Sequence, residues 1–141
     1  MNILYPAIFT AAPEGGYTVA FPDLPEAITE GDTLDEARFN AIEVLTLTLD
    51  ARMEEAMKIP APSTPKRPHG QVFFIAPDAK TQAAVLMRHA RGGRPVATVA
   101  AALGTSWAAA QRLENPRHWP SLRQLEHAAA AVGKRLVLAL E

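Results

Sequence analysis

The chain has no cysteine. Disulfides and thiolate metal sites are therefore excluded, and a reducing compartment is compatible with the composition. It has no apolar run approaching the roughly 18–20 residues of a membrane span. It has no basic residue before Arg38, so no signal-peptide pattern opens it. These absences point to a soluble, cytoplasmic protein. The four histidines, His69, His89, His118 and His127, show neither metal-ligand spacing nor a neighbouring nucleophile. His127 reads as a surface or packing residue. No metal and no cofactor are expected.

What is present is enough apolar residue for a real core: 48% of 141 residues, sufficient for one ordinary domain or two small ones. A net charge of −1 hides a sharp division. Residues 1–57 hold eleven acidic and two basic side chains, a net of −9. Residues 58–141 hold four acidic and twelve basic ones, a net of +8. Such asymmetry suggests two modules with different partners. An acidic module suits a basic partner, and a basic module suits nucleic acid. The plain alternative is solvated helix faces on both.

The stretch from Glu14 to Ala41 organises the first module. Gly15-Gly16 closes a hairpin between two strands. The first holds Ile3, Tyr5, Ala7 and Phe9 in alternation with Leu4, Pro6 and Ile8, apolar on both sides and so covered on both. Pro6 demotes it toward an edge position or a bulge. The second is Tyr17–Phe21, with Tyr17, Val19 and Phe21 on one side. Pro22-Asp23-Leu24-Pro25 is expected to interrupt the ladder, leaving a short third strand over residues 27–30. Thr33 and Glu36 form a capping box opening a helix that should run to about Met57. Its apolar stripe is Leu34, Ala37, Ala41, Leu45, Leu49, Met53 and Ala56. The four prolines of residues 59–68 forbid helix, and Gln71–Ala76 looks like a strand returning to the first sheet. The domain boundary then falls near Pro77.

From Asp78, a candidate cap, the pattern becomes helical. One helix ends at Gly92-Gly93. Val96–Leu103, ended by Gly104, and Trp107–Glu114, capped by Ser106, form two short helices with a tight turn. This is a helix-turn-helix arrangement. Ser121 caps a further helix over residues 122–132, and residues 134–140 alternate as a final strand. In a helix-turn-helix the second helix lies in the major groove. Candidate base readers are Ser106, Trp107, Ala109, Gln111 and Arg112. Arg94, Thr98, Arg117 and His118 lie at helix starts and in the following loop, where phosphate contacts arise. Residues 103–115 and 120–133 resemble the lambda-repressor-like helix-turn-helix family. Pro116 stands where that family commonly has glycine, and Ala110 replaces a larger aliphatic residue.

Tyr5-Pro-Ala-Ile-Phe9, Glu14 to Pro25 and Thr29 to Ala37 together resemble the HicB antitoxins of bacterial toxin–antitoxin systems, and the resemblance covers essentially the whole chain. It implies an α+β fold: a partial ribonuclease-H-like sheet with one long helix, then an all-α helix-turn-helix domain ending in a short strand. Residues 1–76 would bind and block a small basic HicA-type toxin that cleaves mRNA. Residues 78–141 would bind operator DNA and repress the operon. Tyr5, Tyr17, Asp23, Glu30 and Glu43 are the candidate toxin contacts. The final strand, paired with its copy, would give a dimer through the C-terminal domain, open to higher oligomers. Two other classes stay open. One is a one-component regulator with a ligand-sensing N-terminal domain. The other is a degenerate nuclease using Asp23, Glu30, Asp32 and Glu43 on Mg²⁺, although capping and solvation explain most of these carboxylates equally well, and no catalysis is expected.

Overall fold

The structure, a computed structural model, describes residues 2–66 and 68–141. Arg67, within the proline-rich loop, lies outside the described residues. The fold is α+β: the described residues form a four-stranded antiparallel sheet and five α-helices. They fall into two compact units, Met1–Asp78 and Ala79–Glu141.

The first unit contains β1 (Tyr5–Ala11), β2 (Tyr17–Phe21), β3 (Leu24–Gly31), α1 (Leu34–Glu54) and β4 (Gln71–Ile75). The strand order is β3-β2-β1-β4. β1 is thus interior, not an edge. Phe9 pairs with Val19 on one side and with Gln71 on the other. Pro6 is tolerated because it pairs only toward β4, opposite Phe74, beyond the stretch that joins β2. β3 is also longer than expected. Leu24 and Pro25 belong to it, and a register shift next to Phe21 absorbs the irregularity. As β3 is an edge strand, the missing N–H of Pro25 leaves no interior ladder bond unmade.

One sheet face packs on α1. Tyr5, Phe9, Val19, Phe21 and Leu24 from the strands meet Ala37, Ala41, Leu45 and Leu49 from the helix, all buried. Three alanines on or facing this stripe (Ala27, Ala37 and Ala41) let helix and sheet approach closely. Thr33 Oγ1 accepts from the Glu36 N–H at 3.1 Å. The Glu36 carboxylate reaches past the cap to the Asp32 N–H, at 3.2 Å, which is one residue further than a standard capping box. α1 ends at Glu54, short of Met57. Ala56 adopts a left-handed backbone (φ 54°), and the N–H groups of Ala56 and Met57 donate back to Met53 O and Arg52 O. That is a Schellman closure with alanine in the position glycine usually takes.

The second unit contains α2 (Ala79–Arg91), α3 (Val96–Leu103), α4 (Trp107–Arg112) and α5 (Leu122–Ala131). Met87, Leu113 and Ala128 form its packed centre, with Leu103 and Leu125 against it. Gly104 ends α3 in the left-handed region (φ 65°, ψ 35°), a conformation that would strain any residue with a Cβ. Ser106 and Ser121 cap α4 and α5, the latter in a complete capping box with Gln124. α4 stops at Arg112, before Glu114, because Leu113 and Glu114 tighten to bonds with Ala110 O and Gln111 O, three residues back. Residues 134–140 form no strand. Alternation alone cannot make one, since a strand needs a hydrogen-bonded neighbour and this unit has none among its described residues.

Candidate partner surface and candidate nucleic-acid interface

The acidic-unit candidates do not form one cluster. Tyr5 is fully buried, so its ring is core and cannot touch a partner's surface. Its hydroxyl donates to Pro60 O at 2.6 Å. Burial pushes its ionisation up to about 12, with the charge of Asp23 adding to the effect and Arg52 opposing it. The Asp23 carboxylate accepts from the Ser63 N–H at 3.0 Å. Tyr5 and Asp23 therefore pin the proline-rich return to the end of the sheet. Tyr17 is half-buried, and Glu30 and Glu43 are exposed on different elements. The Glu30 carbonyl accepts from Asn40 Nδ2 at 2.8 Å, which ties β3 to α1. A second tie is bidentate: Arg52 Nε and Nη2 meet the Glu26 carboxylate at 2.7 and 2.8 Å. Hydrogen bonding from Arg52 holds the Glu26 carboxyl below its ordinary range. Among the described residues, no three His, Asp or Glu side chains converge to hold a metal ion.

Sequence reasoning overlooked the apolar residues on the outside of this unit. Phe39, Ile42 and Leu47 on α1, Ile28 on β3 and Phe74 on β4 are all exposed. The signal was available: apolar residues of α1 outside the Ala37–Ala41–Leu45–Leu49 stripe point away from the core.

In the basic unit, α3, the Gly104–Ser106 turn and α4 stand together. Ala110 and Leu113 turn inward, while Trp107, Ala108, Gln111 and Arg112 face outward. Ala109 does not join that outward row. It is half-buried and lines a groove with Leu103, Leu113 and His127. At 100° per residue, the exposed alanine beside Gln111 and Arg112 is Ala108. Ser106 Oγ accepts from the Ala109 N–H at 3.1 Å, so its lone pair caps the helix. Thr98 and Arg117 are exposed and His118 is half-buried. The Arg117 N–H donates to Asn115 Oδ1 at 2.9 Å, which shapes the loop after α4.

Arg94 is exposed, but its side chain is not free-standing. Its guanidinium folds back to Ala90 O at 2.8 Å and Arg91 O at 3.1 Å, closing the C-terminus of α2. Arg91 meets the Glu114 carboxylate in a fork, at 2.6 and 2.9 Å, and also donates to Arg94 O at 2.8 Å. The fork joins α2 to Glu114, two residues past the end of α4, and hydrogen bonding to Glu114 raises the Arg91 ionisation further. Trp119, beside Pro120, is a second exposed indole that the sequence reading passed over.

Residues 4–74 match the family model described as the HicB_like antitoxin of bacterial toxin-antitoxin system. Antitoxin HicB 1 of Photorhabdus laumondii is 32% identical over 142 residues, covering 99% of this chain and 88% of that protein. Antitoxin HicB of Escherichia coli is 32% identical over 136 residues, covering 96% and 98%. A chain of a HicA3 and HicB3 toxin-antitoxin complex aligns at a TM-score of 0.41 and 29% identity, covering 53% of this chain and 98% of that one. The chain belongs to the HicB-like antitoxin family.

Proposed function

We propose that this protein is a non-enzymatic, cytoplasmic antitoxin with two activities. Residues 1–76 bind and neutralise a small basic HicA-type toxin that cleaves mRNA. Residues 78–141 bind operator DNA through a helix-turn-helix and repress the operon. The observation that carries the reading is family membership, with curated antitoxins aligned along nearly the whole chain. The acidic excess of the first module supports a basic partner, because opposite charge speeds encounter and sets orientation. The outward Trp107, Gln111 and Arg112 of α4 support the DNA role. Trp107 and Ala108 give apolar contact, whereas Gln111 and Arg112 can donate to base edges.

A dimer is part of this reading. The segment after α5 carries exposed apolar side chains, among them Val137, Leu138 and Leu140. Pairing this segment with its copy would satisfy its backbone and bring two α4 helices to a two-fold operator.

The test is co-expression of the full chain with the product of an adjacent short, basic reading frame. Growth arrest by that product alone, relieved by this chain through a stable complex, is the expected result. No complex and no relief would overturn the neutralising role. For DNA, Arg112→Ala should weaken binding to the upstream region by roughly 1–3 kcal/mol. Unchanged affinity would remove Arg112 from base reading.

A further inference from the structure

We propose that the solvent face of α1 is the surface on which the acidic unit receives its basic protein partner. This rests on the neutralising role proposed above and assigns it a site. α1 is apolar on both sides, a pattern normal for helices covered all round. Its inner stripe is buried on the sheet. On its outer side Phe39 is 69% exposed, Leu47 61% and Ile42 43%. Asp35, Phe39, Glu43 and Leu47 follow one another at intervals of four, so they form one row along the helix. Ile42 lies on the neighbouring row, after Arg38 and before Thr46, Asp50 and Glu54; along it Thr46 Oγ1 accepts from the Asp78 N–H at 3.0 Å and Asp50 is half-buried. The face thus interleaves three large apolar side chains with carboxylates.

The unit has a second apolar face, the side of the sheet away from α1, where Ile28 and Phe74 are exposed. Charge distinguishes the two. Among the described residues, β3 brings the Glu30 carboxylate to that sheet face, while its other exposed carboxylate, Glu26, is paired with Arg52. The α1 face carries Asp35, Glu43, Asp50 and Glu54 against one basic residue, Arg38, whose guanidinium lies over the Phe73 ring at 4.9 Å. Stable interfaces place apolar anchors at the centre and polar groups at the rim. The occupant that fits α1 presents apolar side chains ringed by lysine or arginine, which is the surface a small basic protein offers. Of the candidate toxin contacts, Tyr5 and Tyr17 are not needed for it. Glu43 is retained as a rim contact.

The experiment measures binding of the full chain to the small basic protein encoded beside it, by calorimetry, with melting curves to verify folding. Phe39→Ala combined with Leu47→Ala should weaken binding roughly 10- to 100-fold. Glu43→Lys should slow association and reduce its dependence on salt. Ile28→Ala, on the opposite face, should change affinity less than about twofold. Unchanged binding by the double variant and by Glu43→Lys, with wild type binding normally, would overturn the assignment while leaving the neutralising role intact. A larger loss from Ile28→Ala would move the site to the sheet face. A drop in the mass of the chain alone in the double variant would make α1 a contact between copies, also overturning the assignment. If wild type itself fails to bind, the neutralising role falls first.

Discussion

Tyr5 ties β1 to the proline-rich loop through one hydroxyl, and that hydroxyl is buried. Its ionisation is pushed up to about 12 chiefly by burial. The neutral form is therefore favoured in the folded chain, whereas the unfolded chain loses the proton near its ordinary value of about 10. Stability contributed by this group is complete below about pH 10 and lost as pH climbs toward about 12, a fall of roughly 2–3 kcal/mol at most. Tyr5→Phe should cost about 1 kcal/mol at neutral pH through the lost bond to Pro60. It should also flatten the alkaline decline. Urea unfolding of both proteins at pH 8 and pH 11 checks this, and parallel losses would contradict it. The sequence placed Tyr5 on a strand but could not choose its face, because β1 is apolar on both sides. Its assignment as a partner contact failed for that reason.

At the scale of elements, the informative places are where helices end and where they meet strands. Ala56 closes α1 in a left-handed conformation at a cost of about 1 kcal/mol for a residue with a Cβ. Ala56→Gly should stabilise the protein by a similar amount, seen as a higher melting temperature; a lower one would refute the account. Gly31 has the opposite character. A Cβ there would sit 2.4 Å from the Ala37 nitrogen and 2.7 Å from its Cα, both backbone atoms of α1 that cannot swing aside. Gly31→Ala should destabilise by roughly 3 kcal/mol or more. A near-neutral effect would mean that the strand end and the first helical turn have room to separate. In the basic unit, the Arg91–Glu114 fork is mostly shielded from solvent. Arg91→Met strands the Glu114 carboxylate and should cost about 2 kcal/mol; on the proposed DNA-binding role it should also weaken operator affinity as α4 loses its anchor. Helix starts were legible, since Ser106 and Ser121 act on N–H groups only three residues away. The end of α1 was not, because its apolar spacing runs on to Ala56 without any local stop signal.

For the whole molecule, the charge division places the acidic excess in the first unit and the basic excess in the second. Among the described residues no helix is long and apolar enough to cross a membrane. The exposed apolar tail is the feature most in need of a partner. On the proposed dimer and DNA-binding role, removing residues 136–141 should halve the solution mass by light scattering and weaken operator binding, because each α4 would then act alone. An unchanged mass would place the contact between copies elsewhere. The proposed DNA binding of the intact protein should fall steeply with salt. A flat response would argue against a phosphate-dominated interface.

Sequence alone determined what depends on near neighbours. The alternation of β2, the helical spacing of α1, the serine caps, the glycine stop after α3 and the split of charge all act over a few residues or simply add up along the chain. Tertiary structure decided what depends on distant segments meeting. It made β1 interior by bringing β4 to its free side, turned Tyr5 inward onto Pro60 and engaged Asp23 with Ser63. It folded Arg94 back onto α2 and left Phe39, Ile42 and Leu47 uncovered on α1. A side chain's type is local, but the surface it meets is set by residues tens of positions away.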